Sequence, residues 1–374
     1  MVTRVVSTWS RADRDLDARD RVPVQVGRRR QDARSRSEVK IAGRVLRPSP
    51  VFDTYWRFAV LRQDLYFARL ECPKGPWTSD PILARHRFTN AYRAADRVSQ
   101  YLIGSVLYDE ERSLSDVVFR TLLFKFFNKI ETWEALTAEL GRPVVWNTFD
   151  FATFDSILER RRRQGERLYS GAYVVPPPAL GERFKHQNHL RLIELMMRDG
   201  LPPRLQDART LADVFALLRS YPSVGDFLAY QWAIDLNYST ALSFSEMDFV
   251  VAGPGARDGI EKCFGSSARG MEAEVIRWMA EHQADEFDRL GLSFRSLWGR
   301  PLQLIDVQNL FCEVDKYARV AHPEIAGLSG RTRIKQSFTP AGQVPVPWFP
   351  PRWGLNDSAA AGAGVSSAEP LALA

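Results

Sequence analysis

At 374 residues, 45% hydrophobic and 11% aromatic, the chain holds enough apolar material for one large domain or two ordinary ones, which excludes a wholly disordered class. No apolar run reaches about 18 residues, and the start MVTRVVSTWSRADRD lacks the apolar core of a secretory signal, so a cytoplasmic protein with no membrane partner is expected. The net charge of +6 points towards nucleic acid, but the first 40 residues hold 11 Lys+Arg against 6 Asp+Glu, so the remainder is close to neutral and any nucleic-acid site there must be a local patch.

Three cysteines occur, Cys72, Cys263 and Cys312, widely spaced and without a CxxC pair. Neither a disulfide framework nor a zinc knuckle follows from that pattern, and a reducing compartment is the economical reading. No metal and no cofactor is expected. The chain carries no GxxxxGK[ST] loop, so it is not a P-loop kinase by itself, and no HExxH or GxSxG occurs. Of the five histidines only His186 and His189 are close together, and that pair is left without an assignment.

In chain order, residues 1–47 are rich in Arg and Asp with little apolar periodicity, and read as a disordered basic arm able to feel phosphate non-specifically. Helices are predicted over Phe52–Glu71, Thr89–Tyr108 with Thr89 as N-cap, and Ser113–Ile130. Further helices are predicted over Thr132–Leu140, Phe151–Gln164, Phe184–Arg198, Leu211–Ser220, Val224–Asn237 and Met271–Leu290, ending with one from Leu304. The segment TLLFKFFNKI is apolar almost all round and should be the most buried helix. Gly141, Gly165, Pro176–Pro178, Pro202–Pro203 and Pro222 punctuate most of the joins. Ala172–Val175 is the only short β-like run. The expected fold is all-α over 48–325, and 326–374 reads as a Pro/Ala/Gly-rich tail with no core to join.

The stretch LIDVQNLFCEVDKYARV, Leu304–Val320, organises the rest. As a helix it buries Val307, Phe311, Val314 and Ala318 along one stripe. Asp306, Asn309, Glu313 and Lys316 form a second stripe at i, i+3, i+7 and i+10, and Gln308, Cys312, Asp315 and Arg319 a third. The bland reading is a solvated helix laced with local Glu313–Lys316 and Asp315–Arg319 pairs, each worth about 0.2–0.5 kcal/mol.

Three other stretches could carry chemistry. Gly253, Pro254 and Gly255 make a tight turn before a helix starting near Ala256, whose free N–H groups and dipole would suit a DNA phosphate, although such turns also join helices for structural reasons. Around Thr89, Arg87, Asn90, Arg93 and Arg97 supply amide and guanidinium groups able to hold phosphate oxygens, against a bland reading in which Asp96 pairs them at a surface. Lys125, with Asn128 and Lys129 nearby, lies in a helix apolar all round and must snorkel, pair with an acid or face a site. The run Arg160–Arg163 reads as a solvated or phosphate-facing helix end.

RFTNAYRAADRVSQYL, FKFFNKIETWEAL, GPGARDGIEKCF and LIDVQNLFCEVDKYARV resemble, in the same order, motifs of the all-helical α-glutamyl/putrescinyl thymine pyrophosphorylases. That family also occurs as the helical domain associated with 5-hydroxymethyluracil DNA kinases, and the resemblance covers about Val51–Pro323. It looks like a distant relative of helix-hairpin-helix DNA glycosylases, although their Leu-Pro-Gly-Val-Gly and Val-Asp-Thr-His patterns are not reproduced. The resemblance implies a glycosylase-like multi-helix domain acting in thymine hypermodification of phage or prophage DNA. A separate kinase would phosphorylate hydroxymethyluracil in DNA, and this protein would then replace the (pyro)phosphate with an amine from an amino acid or polyamine.

Such a substitution needs an anion-stabilising set on the leaving phosphate, for which the cations Arg87, Arg93, Arg97 and Lys125 and the amide of Asn90 are candidates. It needs a carboxylate to receive the ammonium proton, for which Asp306, Glu313 or Asp315 are candidates, with Lys316, Gln308 and Asn309 beside them as further catalytic candidates. It also needs a grip on DNA, assigned to Gly253, Pro254, Gly255 and Ala256. Cys263 or Cys312 could add to C6 of the pyrimidine, although a buried Cys is usually packing. Two rival readings are a non-catalytic DNA-binding module beside a kinase, and a glycosylase-like enzyme. The reading requires that the Thr89 element and the Leu304 helix line one cleft beside the Gly-Pro-Gly bend.

Overall fold

A computed structural model describes residues 36–171, 174–339 and 344–362. A short hairpin comes first, β1 (Val39–Ile41) against antiparallel β2 (Arg44–Leu46), closed by Ala42 and Gly43 at positive φ of 44° and 81°. The helices are α1 (Pro50–Glu71), α2 (Pro81–Arg85), α3 (Arg97–Tyr101), α4 (Leu114–Phe127), α5 (Ile130–Leu140), α6 (Phe151–Arg163), α7 (Lys185–Arg198) and α8 (Leu201–Gln206). They continue with α9 (Leu211–Arg219), α10 (Asp226–Asn237), α11 (Pro254–Phe264), α12 (Glu272–Glu281), α13 (Gln283–Arg289), α14 (Leu304–Ala321) and α15 (Asn356–Gly362). The chain is mostly helical, and none of its described helices is long and apolar enough to cross a membrane.

Three helices form the centre. Every residue of α4 from Val117 to Phe127 is buried, as its all-round apolar sequence requires, and α10 is buried from Leu228 to Asn237. The third, α14, is clasped by α1 and α11. Tyr55 of α1 donates its hydroxyl to the Val307 carbonyl at 3.3 Å and packs its ring on Phe311. Ser49, the N-cap of α1, accepts from Val51 N–H and donates its hydroxyl to the Lys262 carbonyl at the end of α11. Contact between α11 and α14 is close enough to demand glycine: a Cβ on Gly259 would lie 2.1 Å from the Phe311 carbonyl oxygen.

Several predicted elements need correction. Thr89–Tyr108 is not one helix and Thr89 is not its cap. Residues 88–92 are non-helical, Arg93–Ala95 is one 3-10 turn, and α3 passes into a π-helical stretch, Leu102–Leu107. Side chains compete for the backbone there: Asp96 accepts from Asn90 N–H at 2.7 Å, Asn90 donates to the Ala95 carbonyl at 2.6 Å and Gln100 to that of Ala94 at 2.7 Å. Met271–Leu290 divides at His282, whose Nδ1 bonds the Trp278 carbonyl while its ring stacks on the Trp278 indole.

Both supposed tails contribute to the core. The last part of the basic arm is the β1–β2 hairpin, with Val39, Ile41 and Leu46 buried; residues 1–35 lie outside the described residues. In the C-terminal segment Phe349, Leu355 and Ala359 are buried, and Arg352 donates to the carbonyls of Asn237, Ser239 and Leu242 at the end of α10. Of the β-like run Ala172–Val175, the first two residues lie outside the described part, and Val175 is buried without strand pairing.

Candidate active site

The two polar stripes of α14 face two different neighbours. Asp306 is the N3 residue of the helix and accepts from Gln303 N–H at 3.0 Å and, across the fold, from Arg93 N–H at 2.8 Å. Asn309 donates to Thr89 Oγ1 and the Asn90 carbonyl, both at 3.1 Å, and Glu313 accepts from Thr89 N–H at 2.9 Å. Lys316 closes the stripe with an ion pair to Glu313 at 2.7 Å. This stripe therefore holds the backbone of the 88–96 segment, and Arg62 of α1 holds it from the other side through the Thr89 carbonyl and Asn90 Oδ1.

The other stripe faces α11. Asp315 pairs with Lys262 at 3.1 Å and with Arg319, while Gln308 donates to Cys312 Sγ at 3.3 Å. Both pairs expected of a solvated helix form, yet Asp306, Gln308, Glu313 and Asp315 are all buried.

Arg93 and Lys125 meet on a residue that sequence reading missed. Asp235, wholly buried on α10, lies 2.8 Å from Arg93 Nη2 and 3.1 Å from Lys125 Nζ. Arg93 Nε also donates to Gln231 at 2.9 Å, its guanidinium lies over the Tyr238 ring, and Lys125 donates to Asn128 at 2.8 Å. The signal was present as an aspartate among apolar residues in DFLAYQWAIDLN, the mirror image of Lys125 in TLLFKFFNKI. The lysine's need for an acid is met six helices on, by α10.

Desolvation sets the electrostatics. Burial pushes the Asp306 carboxyl from 3.8 up to about 7, the Glu246 carboxyl adds to the push, and the two backbone N–H donors oppose it. Burial likewise takes Asp96 to about 7 and brings Lys125 down to about 8 against the pull of Asp235. Near neutrality this cluster contains two carboxyls and an amine able to change charge. Burial raises the thiols of Cys263 and Cys312, which keeps them protonated and makes both poor nucleophiles.

The predicted site is thus brought together in part. Arg93, Asn90, Lys125, Asp306, Asn309 and Glu313 converge, whereas Arg87 and Arg97 are exposed and outside the cluster. Asp315, Gln308 and Lys316 lie on the same helix, the first two turned towards α11. Gly253 is the N-cap of α11 and Pro254 its first residue. Gly255 lies against Cys312, where a Cβ would come within 3.2 Å, and Ala256 is buried. The cluster is closed, with Asp306 only 3% exposed. Among the described residues no group of three or more His, Cys, Asp or Glu side chains is arranged to hold a metal ion.

Fold and cluster together define a mostly helical protein with a buried acid–cation network where α4, α10 and α14 meet the 88–96 segment. Residues 49–327 match the model of the helical domain of 5-hmdU DNA kinases, and the chain belongs to that family. It is similar to a 5-hmdU DNA kinase of Bacillus phage SP10, 27% identical over 290 residues. That match covers 71% of this chain and 45% of the phage protein, so the chain spans less than half the length of that relative. No solved structure matches.

Proposed function

We propose that this protein works in thymine hypermodification of DNA, replacing the (pyro)phosphate on the 5-methylene of a phosphorylated hydroxymethyluracil with an amine from an amino acid or polyamine. The new bond joins the amine nitrogen to the methylene carbon. The carbon–oxygen bond to the phosphate breaks, its electron pair leaves with the phosphate, and the surplus ammonium proton passes to a carboxylate. Asp306 suits that last step, since a carboxyl at about 7 both takes up and returns a proton near neutrality. Arg93 and Lys125 supply the positive charge for the departing phosphate. Because the cluster is closed, substrate would enter by displacement of the 88–96 segment.

The observation that carries this reading is the convergence of Asp306, Arg93 and Lys125 from three distant parts of a chain whose family is tied to 5-hmdU in DNA. A second reading, a non-catalytic DNA-binding module beside a separate kinase, is favoured by one specific feature: the acids of α14 already have intramolecular partners. One experiment separates them. The protein is incubated with DNA bearing 5-phosphomethyluracil or its pyrophosphate and a panel of amines, and the digested nucleosides are weighed. An amine adduct supports the substitution, abasic sites indicate a glycosylase, and unchanged DNA with retained affinity leaves the binding module.

A further inference from the structure

The α6–α7 face carries a run of basic side chains that the active-site reading leaves unused. Four consecutive arginines, Arg160–Arg163, occupy the last turn of α6, Arg167 follows in the loop, and Arg183 and Lys185 stand at the start of α7. Packing of α6 against α7 brings the two stretches side by side. Phe184 is the joint: the Arg162 guanidinium lies over its ring at 4.1 Å and that of Arg183 at 5.0 Å, while Lys185 lies over Tyr169 at 4.2 Å. His186 beneath them is held by Asp155 at 2.9 Å, so the start of α7 is fixed in place.

Arg160, Arg162 and Arg163 stand higher than the acids that pair with them, whereas Arg161, with a side chain 21% exposed, lies lower than both of its partners. Glu159, which pairs with Arg162 and Arg163, has a side chain 13% exposed, and Glu139, which pairs with Arg160 and Arg161, 28%. Arg163 is 75% exposed and Arg160 54%. Only Glu166, paired with Arg161, reaches out comparably at 39%. A purely solvated helix end has no need of this layering, because Glu–Arg pairs at equal height serve solubility as well. Recessed acids hold the guanidiniums in place and leave their outer N–H donors free for an external polyanion.

We infer that the α6–α7 face binds the phosphate backbone of duplex DNA without reading sequence, as an anchoring surface distinct from the Asp306 cluster. The two are joined through α7, which packs on the Lys125 helix through Phe126 and His189. The inference rests on the reading that DNA is the protein's substrate, and it corrects where the grip falls. Gly255 and Gly259 of α11 are committed to packing on α14, whereas Arg160, Arg163 and Arg183 are exposed at the surface, where a backbone can reach them.

The test is binding of a fluorescent duplex of about 20 base pairs by the full chain across a salt series, in which each phosphate contact contributes a slope of about −0.9 in log affinity against log salt. The variant Arg160→Glu/Arg163→Glu/Arg183→Glu spares the stacked Arg162. It is expected to lose at least tenfold in affinity at about 0.1 M salt and to shallow the slope by about 2.7. The control, Arg204→Glu/Arg219→Glu/Arg295→Glu, changes net charge equally at exposed positions elsewhere and should lose less than threefold. Thermal midpoints confirm that both variants are folded. Equal losses in the two, no loss in the first, or no duplex binding by the parent protein overturns the inference. Its failure is separable from that of the proposed reaction: amine product formed by the triple variant at saturating DNA would leave the chemistry standing, and duplex binding without product would leave the surface standing.

Discussion

Asp306 carries two jobs in one carboxyl. Its oxygens take the N–H groups of Gln303 and Arg93, so it joins the start of α14 to the 88–96 segment. Asparagine there keeps one acceptor and turns an NH2 towards a donor, which strands a buried N–H at a cost of about 1–3 kcal/mol. Asp306→Asn should therefore abolish amine transfer and also lower the urea midpoint, with both read on the same preparation. The deficit is expected to depend on pH. The folded-state value of about 7 lies above the ordinary 3.8, so folding takes up a proton and the stabilisation from this group is lost as pH rises through 7. The gap between parent and variant should thus be wider at pH 5 than at pH 8. His189, brought down to about 4 by burial, moves stability in the opposite sense over part of this range, which is why the difference between the two proteins is the quantity to measure. A gap that stays constant with pH would show that Asp306 is ionised throughout.

At the same scale, Asp235 balances both Arg93 and Lys125. Asp235→Ala leaves two buried cations without their shared acid and should cost about 3–5 kcal/mol in equilibrium unfolding. A loss under about 1 kcal/mol would mean that water takes the place of the carboxylate. Sequence reading singled out Lys125 and could not name its partner, because the acid comes from a helix more than a hundred residues away.

Between elements, the closest approach is α11 to α14. A methyl group on Gly259 would meet backbone, the Phe311 carbonyl at 2.1 Å, and backbone cannot swing aside, so Gly259→Ala should cost about 3 kcal/mol by overpacking. At Gly255 the neighbour is the Cys312 side chain at 3.2 Å, and Gly255→Ala should cost under about 1.5 kcal/mol. Thermal unfolding of the two variants checks the order. Weakened DNA binding by Gly255→Val would consequently not prove a phosphate role for the bend, since valine there must push α14 away. The GPG pattern was legible as a turn into a helix. That its neighbouring glycines also serve packing was not, since glycine signals close approach without saying what approaches.

The 88–108 stretch shows where periodicity misleads. Its apolar positions fit a helix, yet Asp96 has extended backbone and its carboxyl takes an N–H that a continuous helix would have left near its own terminus. Three side chains from α14 complete the diversion by bonding the segment's backbone from outside.

Across the whole molecule, the C-terminal segment ties the periphery to the centre. Trp348 N–H donates to Gln100, Arg352 donates to three carbonyls at the end of α10, and Trp353 lies under Arg300, which pairs with the buried Glu246 beside Asp306. Removal of residues from Val344 onward uncovers sites filled by Phe349, Leu355 and Ala359 and should cost at least about 4 kcal/mol, read as a fall in the urea midpoint. An unchanged midpoint would show that this segment only rests on the surface.

The sequence by itself determined most of the helices and the spacing along them, because helical period is a local property of apolar and polar residues. It therefore defined both polar stripes of α14 and the burial of α4, and its motifs led to the family. Only the tertiary structure decided which partner each stripe met, that Asp235 stands between Arg93 and Lys125, and that the glycines of α11 are filled by α14. Those are contacts between residues far apart in the chain, and no periodicity within one segment encodes the position of another.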